Sequence, residues 1–137
     1  MRINNHFIIG ISDRTNETGA KNLSNIIEKN GWTSEIAITP ENTLHFKSEC
    51  SLLDEETILA TDNLIKSDFF NKKYRIIKVP KGEETGANCL RINEHLLIPK
   101  GYDRLLDLVS KDYKIRVLDV TEMEKVDAGL SCLSLRW

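Results

Sequence analysis

The chain has 137 residues, 40% apolar and 29% charged, enough for one compact domain and a mix that excludes a disordered chain. Nineteen Lys and Arg against twenty-one Asp and Glu leave a net charge of −2, without the basic stripe that a nucleic-acid partner would require. Apolar stretches are as short as Leu96-Leu97-Ile98, which excludes a membrane-spanning helix and a membrane partner.

Taken in chain order, Phe7–Gly10 reads as a strand running into the turn Ser12-Asp13-Arg14-Thr15-Asn16. A helix follows, with Ala20, Leu23, Ile26 and Ile27 on one face, capped by Thr15 or Asn16 and stopping at Asn30-Gly31. Ile36–Thr39 is the next strand, and Leu44–Ser48 opens another β segment. Asp54-Glu55-Glu56 predicts a solvated hairpin turn before the strand Thr57–Ala60. A second, shorter helix is expected from about Asp62 to about Asn71, then the strand Ile76–Val79 and a second solvated turn at Glu83-Glu84. Ala87–Ile92 and Leu96–Ile98 read as strands. A third helix carries Leu105, Leu106, Leu108 and Val109, ahead of the strand Val117–Val120 and a closing β segment, Leu130–Leu135.

The strands beginning at Ile36, Ile76 and Val117 start 40 and 41 residues apart. Each ends a unit of strand, strand, helix, strand, and a period near 40 in such units means an array in which no unit buries its own apolar face. The helices exclude an all-β propeller, and no Gly-rich phosphate loop supports a doubly wound dinucleotide fold. The expectation is one α/β domain over residues 1–137, built of ββαβ units around a pseudo-symmetry axis.

Each opening strand of this reading carries one unusual polar residue: His45, Asn88 and Cys132. Rotation about an axis brings equivalent positions together, so His45 and Cys132, 87 positions apart, are expected as neighbours. They would make a nucleophile and its proton carrier. The plain alternatives stay open. A lone His in an apolar strand is as a rule structural, and His6 and His95 are expected to be so, before edge-like strands and without polar company. Cysteine is commonly buried filler, the reading given to Cys50 and Cys89. Arg14 could simply pair with Asp13 or Glu17, or clamp a substrate carboxylate. Three cysteines without a CxxC pair suggest neither disulfides nor zinc, and Met1–Asn5 is no signal peptide, so a reduced, cytoplasmic protein is expected.

Four stretches together carry a family resemblance: Gly10-Ile11-Ser12-Asp13-Arg14-Thr15-Asn16 with Gly19, Leu44-His45-Phe46-Lys47-Ser48, Ala87-Asn88-Cys89, and Lys125 to Arg136 ending in Ser-Cys-Leu-Ser-Leu-Arg. In that order they resemble the dimethylarginine dimethylaminohydrolases, members of the guanidine-modifying superfamily with the pentein α/β propeller. The likeness is to the C-terminal part, about three of five blades. Ala128 and Phe46 depart from the family's usual Gly and Leu without removing a reactive group.

The resemblance implies hydrolysis of methylated arginine to citrulline and dimethylamine without cofactor or metal. Cys132 would attack the guanidinium carbon to form a thiouronium adduct, with His45 as general acid and then general base. Arg14 would bind the substrate carboxylate, the Val126 carbonyl would accept a substrate hydrogen bond, and Asn88 and Asp127 are secondary candidates. It also implies that full-length members carry guanidinium-binding carboxylates and an acidic partner for the His in a segment before the stretch matching Asn5–Phe7. Little or no activity is therefore expected of this chain alone, together with self-association or a complementing N-terminal segment. Arginine or agmatine deiminases, amidinotransferases and non-catalytic pentein-type modules are the alternatives.

Overall fold

The computed structural model describes residues 1–67, 69–70 and 73–134. Two compact units divide the chain, residues 1–47 and 48–137. Within them the ββαβ unit occurs three times, and each time as its own three-stranded sheet.

The first sheet joins β1 (Arg2–Ile3) and β2 (His6–Ile11) antiparallel, then β3 (Thr33–Ile38) parallel to β2. Between β2 and β3 runs α1 (Glu17–Lys29), where Asn16 Oδ1 accepts from Gly19 N at 2.8 Å and Asn30 closes the last turn. Of its apolar stripe, Ala20 and Ile27 are buried with Ile9, while Leu23 and Ile26 are exposed.

The second unit holds two such sheets. β4 (Cys50–Leu52), β5 (Thr57–Ala60) and β6 (Arg75–Lys78) form one, crossed by α2 (Asp62–Lys66); β7 (Leu90–Ile92), β8 (His95–Pro99) and β9 (Lys114–Leu118) form the other, crossed by α3 (Asp103–Val109). α2 begins at a Thr61 cap and ends at Ser67; Asn71, where a longer helix was expected to stop, lies outside the described residues. Leu53, Leu59, Val79, Ala87, Cys89, Leu96, Ile98, Leu105 and Val109 pack into one core cluster across both sheets. Each such aliphatic side chain removed from water contributes about 1.5–3 kcal/mol, before the cost of ordering the chain. Ser51 reinforces the junction, its hydroxyl meeting the Ala87 and Cys89 carbonyls at 2.6 and 2.9 Å.

Several local expectations are corrected. Residues 46–48 and 84–87 are 3-10 turns, and the strands start only at Cys50 and Leu90. Short-range bonds such as Gly86 N to Glu83 O and Asn88 N to Thr85 O compete successfully with sheet pairing there. His6 and His95 open the central strands of their sheets, not edges, and His6 Nδ1 sits 2.8 Å from Thr33 Oγ1. Asp54 keeps its hairpin position but also accepts the Tyr113 hydroxyl.

Glu83 is not solvated. Its carboxylate is buried and accepts from Leu105 N at 2.7 Å, Arg104 N at 3.3 Å and Arg104 Nε at 3.0 Å. The first N–H groups of a helix lack intrahelical partners, and Tyr102 at the cap of α3 provides no side-chain acceptor, so Glu83 fills that role from another segment. Burial pushes the Glu83 carboxyl up; the bonds from Leu105 and Arg104 and the Arg104 charge more than offset it, leaving it below its usual range. Among the described residues, no helix is long and apolar enough to cross a membrane.

Candidate active site

The segment after β9 builds the surroundings of Cys132. Asp119 Oδ1 accepts from Thr121 N at 3.2 Å and starts α4 (Thr121–Glu124), which buries no residue. The chain leaves α4 through Val126 and Asp127, the latter at φ 57°, with Ala128 N held 3.0 Å from Met123 O. Gly129 O then accepts from Cys132 N at 3.0 Å and from Leu133 N at 3.1 Å. This makes residues 129–133 a turn instead of the expected strand Leu130–Leu135, whose last residue lies outside those described. The turn buries Leu130 and Ser131 and leaves the Cys132 thiol exposed.

Asn88 fixes this turn from across the unit. It is buried at the end of the 3-10 turn before β7; its Oδ1 accepts from Ser131 N at 3.0 Å, and its Nδ2 donates to Cys132 Sγ at 3.3 Å. Gly129 makes the approach possible, because a Cβ there would stand 2.2 Å from Asn88 Nδ2 and 2.4 Å from Cγ. The Ser131 hydroxyl is buried with no hydrogen-bond partner among the described residues.

Arg14 and His45 belong to the first unit. Ser12 and Thr15 exchange backbone bonds of 3.1 Å, which project Arg14 from a tight turn. The Ser12 hydroxyl accepts from Arg14 N at 3.1 Å and donates to Leu44 O at 2.7 Å, tying the Arg14 turn to the residue before His45. Phe46, on the other side, is buried, and Gly10 admits it: a Cβ on Gly10 would lie 2.9 Å from Phe46 Cβ. His45 is thus an exposed side chain between two anchored neighbours, on the same surface segment as the exposed Arg14. No ion pair joins Arg14 to Asp13 or Glu17 among the described residues; Glu17 pairs with Lys21 at 2.6 Å.

The three thiols differ sharply. Burial pushes Cys89 up to about 12, which keeps it protonated at neutral pH, and Cys50 is equally enclosed. Cys132 alone is exposed. Val126 exposes its side chain and Asp127 is exposed beside it; neither enters the Asn88–Cys132 contact, while the secondary candidate Asn88 does. Ser12 and Gly129 were not expected as site residues, although both lie in the stretches that carry the family resemblance. Among the described residues no group of three or more His, Cys, Asp or Glu could hold a metal ion.

Comparison with known proteins bears on this geometry. The chain is 34% identical over its full length to N(G),N(G)-dimethylarginine dimethylaminohydrolase of Pseudomonas aeruginosa, of which it covers 54%. A solved structure of the Pseudomonas enzyme, a cysteine-to-serine mutant complexed with citrulline, superposes with a TM-score of 0.92 at 33% identity, over all of this chain and 53% of that one. The chain is a relative of the dimethylarginine dimethylaminohydrolases. It spans about half the length of the curated and solved relatives it matches. Inosamine-phosphate amidinotransferase of Streptomyces griseus matches at a TM-score of 0.80 and 18% identity, over 91% of this chain and 41% of that chain, which shows the shared fold alone. The three ββαβ units are therefore pentein-type units of a partial α/β propeller, as the sequence motifs of the family implied. No protein-family model matches the chain.

Proposed function

We propose that this chain carries the nucleophile-bearing part of a dimethylarginine-hydrolysing enzyme. The observation that carries the reading is the exposed Cys132 thiol, held in a Gly129 turn by an amide that donates to its sulfur. A thiolate is the reactive form of cysteine, and a donor at 3.3 Å favours it over the thiol.

In the proposed reaction Cys132 Sγ attacks the guanidinium carbon, and the C–N bond to dimethylamine breaks as His45 delivers a proton to the departing nitrogen. Water then attacks the thiouronium carbon while His45 takes its proton. The C–S bond breaks, thiolate returns, and citrulline leaves. Arg14 is the partner for the substrate carboxylate, where a guanidinium forms bidentate bonds. The Val126 carbonyl is the acceptor for a substrate N–H. This needs His45 and Cys132 in mutual reach, a requirement of the proposal.

A buried guanidinium also needs anionic partners, since giving up its hydration costs several kcal/mol. Cys132, His45, Arg14 and Val126 supply none before the thiolate forms. Steady turnover of dimethylarginine by these 137 residues is accordingly expected to be slow or absent.

S-methyl-L-thiocitrulline, with which a histidine-to-glycine variant of a dimethylarginine dimethylaminohydrolase forms an adduct, gives a more direct test. Methanethiolate leaves without a proton from His45, whereas hydrolysis of the adduct still needs one removed from water. Peptide mass spectrometry of His45→Gly, incubated long with a large excess of the analogue to offset weak binding of its cationic head, is expected to find the adduct accumulating on Cys132. Its absence, where iodoacetamide still modifies Cys132, would overturn the assignment.

A further inference from the structure

Resting on the assignment of Cys132 as nucleophile, we infer that Asn88 is the positioning residue of that nucleophile, holding the turn by one end of its amide and favouring ionised sulfur with the other. The orientation of the amide follows from chemistry. Ser131 N–H can only donate, so the group 3.0 Å away must be the carbonyl oxygen Oδ1. That leaves Nδ2, a donor, 3.3 Å from Cys132 Sγ. Sulfur carrying a negative charge is the stronger acceptor, so the contact stabilises thiolate more than thiol.

Burial strengthens the effect. Asn88 is only 6% exposed, and Ser131 and Gly129 lie buried against it, so water does not compete for the amide on that side. Its place at the end of the 3-10 turn before β7, beside the enclosed Cys89, fixes the backbone from which it reaches. The close approach at Gly129 leaves no room for a side chain between amide and turn. Since α4 before the turn buries no residue, the other support on that side is the buried Leu130 side chain.

Other charged groups on the two meeting segments are engaged elsewhere or exposed. Glu83 holds α3, Glu84 accepts from Gly82 N, Lys125 pairs with Glu122, Glu124 accepts from Tyr102, and Asp127 faces solvent. With the proposed proton carrier His45, they enter every arm of a comparison between variants equally.

The test is the pH dependence of Cys132 alkylation by iodoacetamide in the 137-residue chain, read by peptide mass spectrometry in wild type, Asn88→Asp and Asn88→Ala. Asn88→Asp retains the acceptor for Ser131 N–H and replaces the donor with a negative charge; its midpoint is expected to rise by about one pH unit or more. Asn88→Ala removes the donor without adding charge, and its midpoint rises by less. A thermal melt checks that each variant is folded. An amide that merely anchors the turn would leave the Asn88→Ala midpoint where wild type has it, and an Asn88→Ala midpoint at or below wild type would overturn the inference; an unchanged Asn88→Asp midpoint would overturn it too, since a new charge at the place of the donor would then not reach the sulfur. Failure of the underlying assignment looks different: wild-type Cys132 and His45→Gly would then form no adduct with S-methyl-L-thiocitrulline, whatever the Asn88 variants do to alkylation.

Discussion

Within residues 48–137 two regions are built on opposite principles. The two sheets are held by a shared apolar cluster in which Leu59, Leu96, Leu105 and Val109 are fully buried. The segment from α4 through Leu133 carries an exposed Met123, Val126 and Leu133, buries nothing from its helix and only Leu130 among its large apolar side chains, and is fixed by an amide and a glycine contact. The core derives its order from packing, which is non-directional; the nucleophile turn derives its order from hydrogen bonds, which set where one sulfur points. Stability and reactivity should therefore respond to different substitutions.

The largest expected effect breaks the packed side. Leu96→Ala removes a fully buried side chain from β8, the central strand of its sheet, and should lower the unfolding free energy by about 2–5 kcal/mol in denaturant titration. Gly129→Ala strikes the other side: its Cβ would occupy the place of the Asn88 amide. Adduct formation at Cys132 should then fall by more than tenfold, with a smaller loss of stability than Leu96→Ala produces. Equal losses of stability in both would erase the contrast between the regions.

Glu83 sharpens the comparison, being a polar support inside the packed region. Its carboxyl lies below the usual range, so the stability it contributes is present above the ordinary carboxylate range and is lost as pH falls through its lowered value. Glu83→Gln should cost about 1–3 kcal/mol at neutral pH and flatten the acid limb of a stability-against-pH curve. An unchanged acid limb would contradict the role given to it. The smallest effect belongs to the first unit, where Asn16→Ala removes the Asn16–Gly19 cap of α1 and should cost about 1 kcal/mol, read by thermal melt.

Much of the frame was legible from residue order alone. Runs such as Thr57–Ala60 and Leu96–Ile98 announced the central strands, because β-branched and aliphatic residues bounded by turn formers have few other uses. The short strands preceding them were misplaced by a few residues, since 3-10 turns at 46–48 and 84–87 carry the same composition as a strand edge. Glu83 read as solvent-facing because its partners, Arg104 and Leu105, are about twenty positions away in sequence. Cys132 and Asn88 stood out by type and motif, yet the bond between them spans 44 positions and no local pattern encodes it. Alkylation of Cys132 faster than Cys50 or Cys89 would also follow from burial of the latter two alone, so only the pH dependence separates activation from exposure.

The proposed reaction requires His45 and Cys132 to work within reach of one another. Nuclear magnetic resonance of the His45 ring, titrated before and after carbamidomethylation of Cys132, tests it without depending on turnover. Neutralising a nearby sulfur should shift the His45 ring signals and move its titration midpoint, and Cys132→Ser should reproduce the displaced curve. A His45 titration that is the same in all three samples would contradict the pairing and the chemistry built upon it.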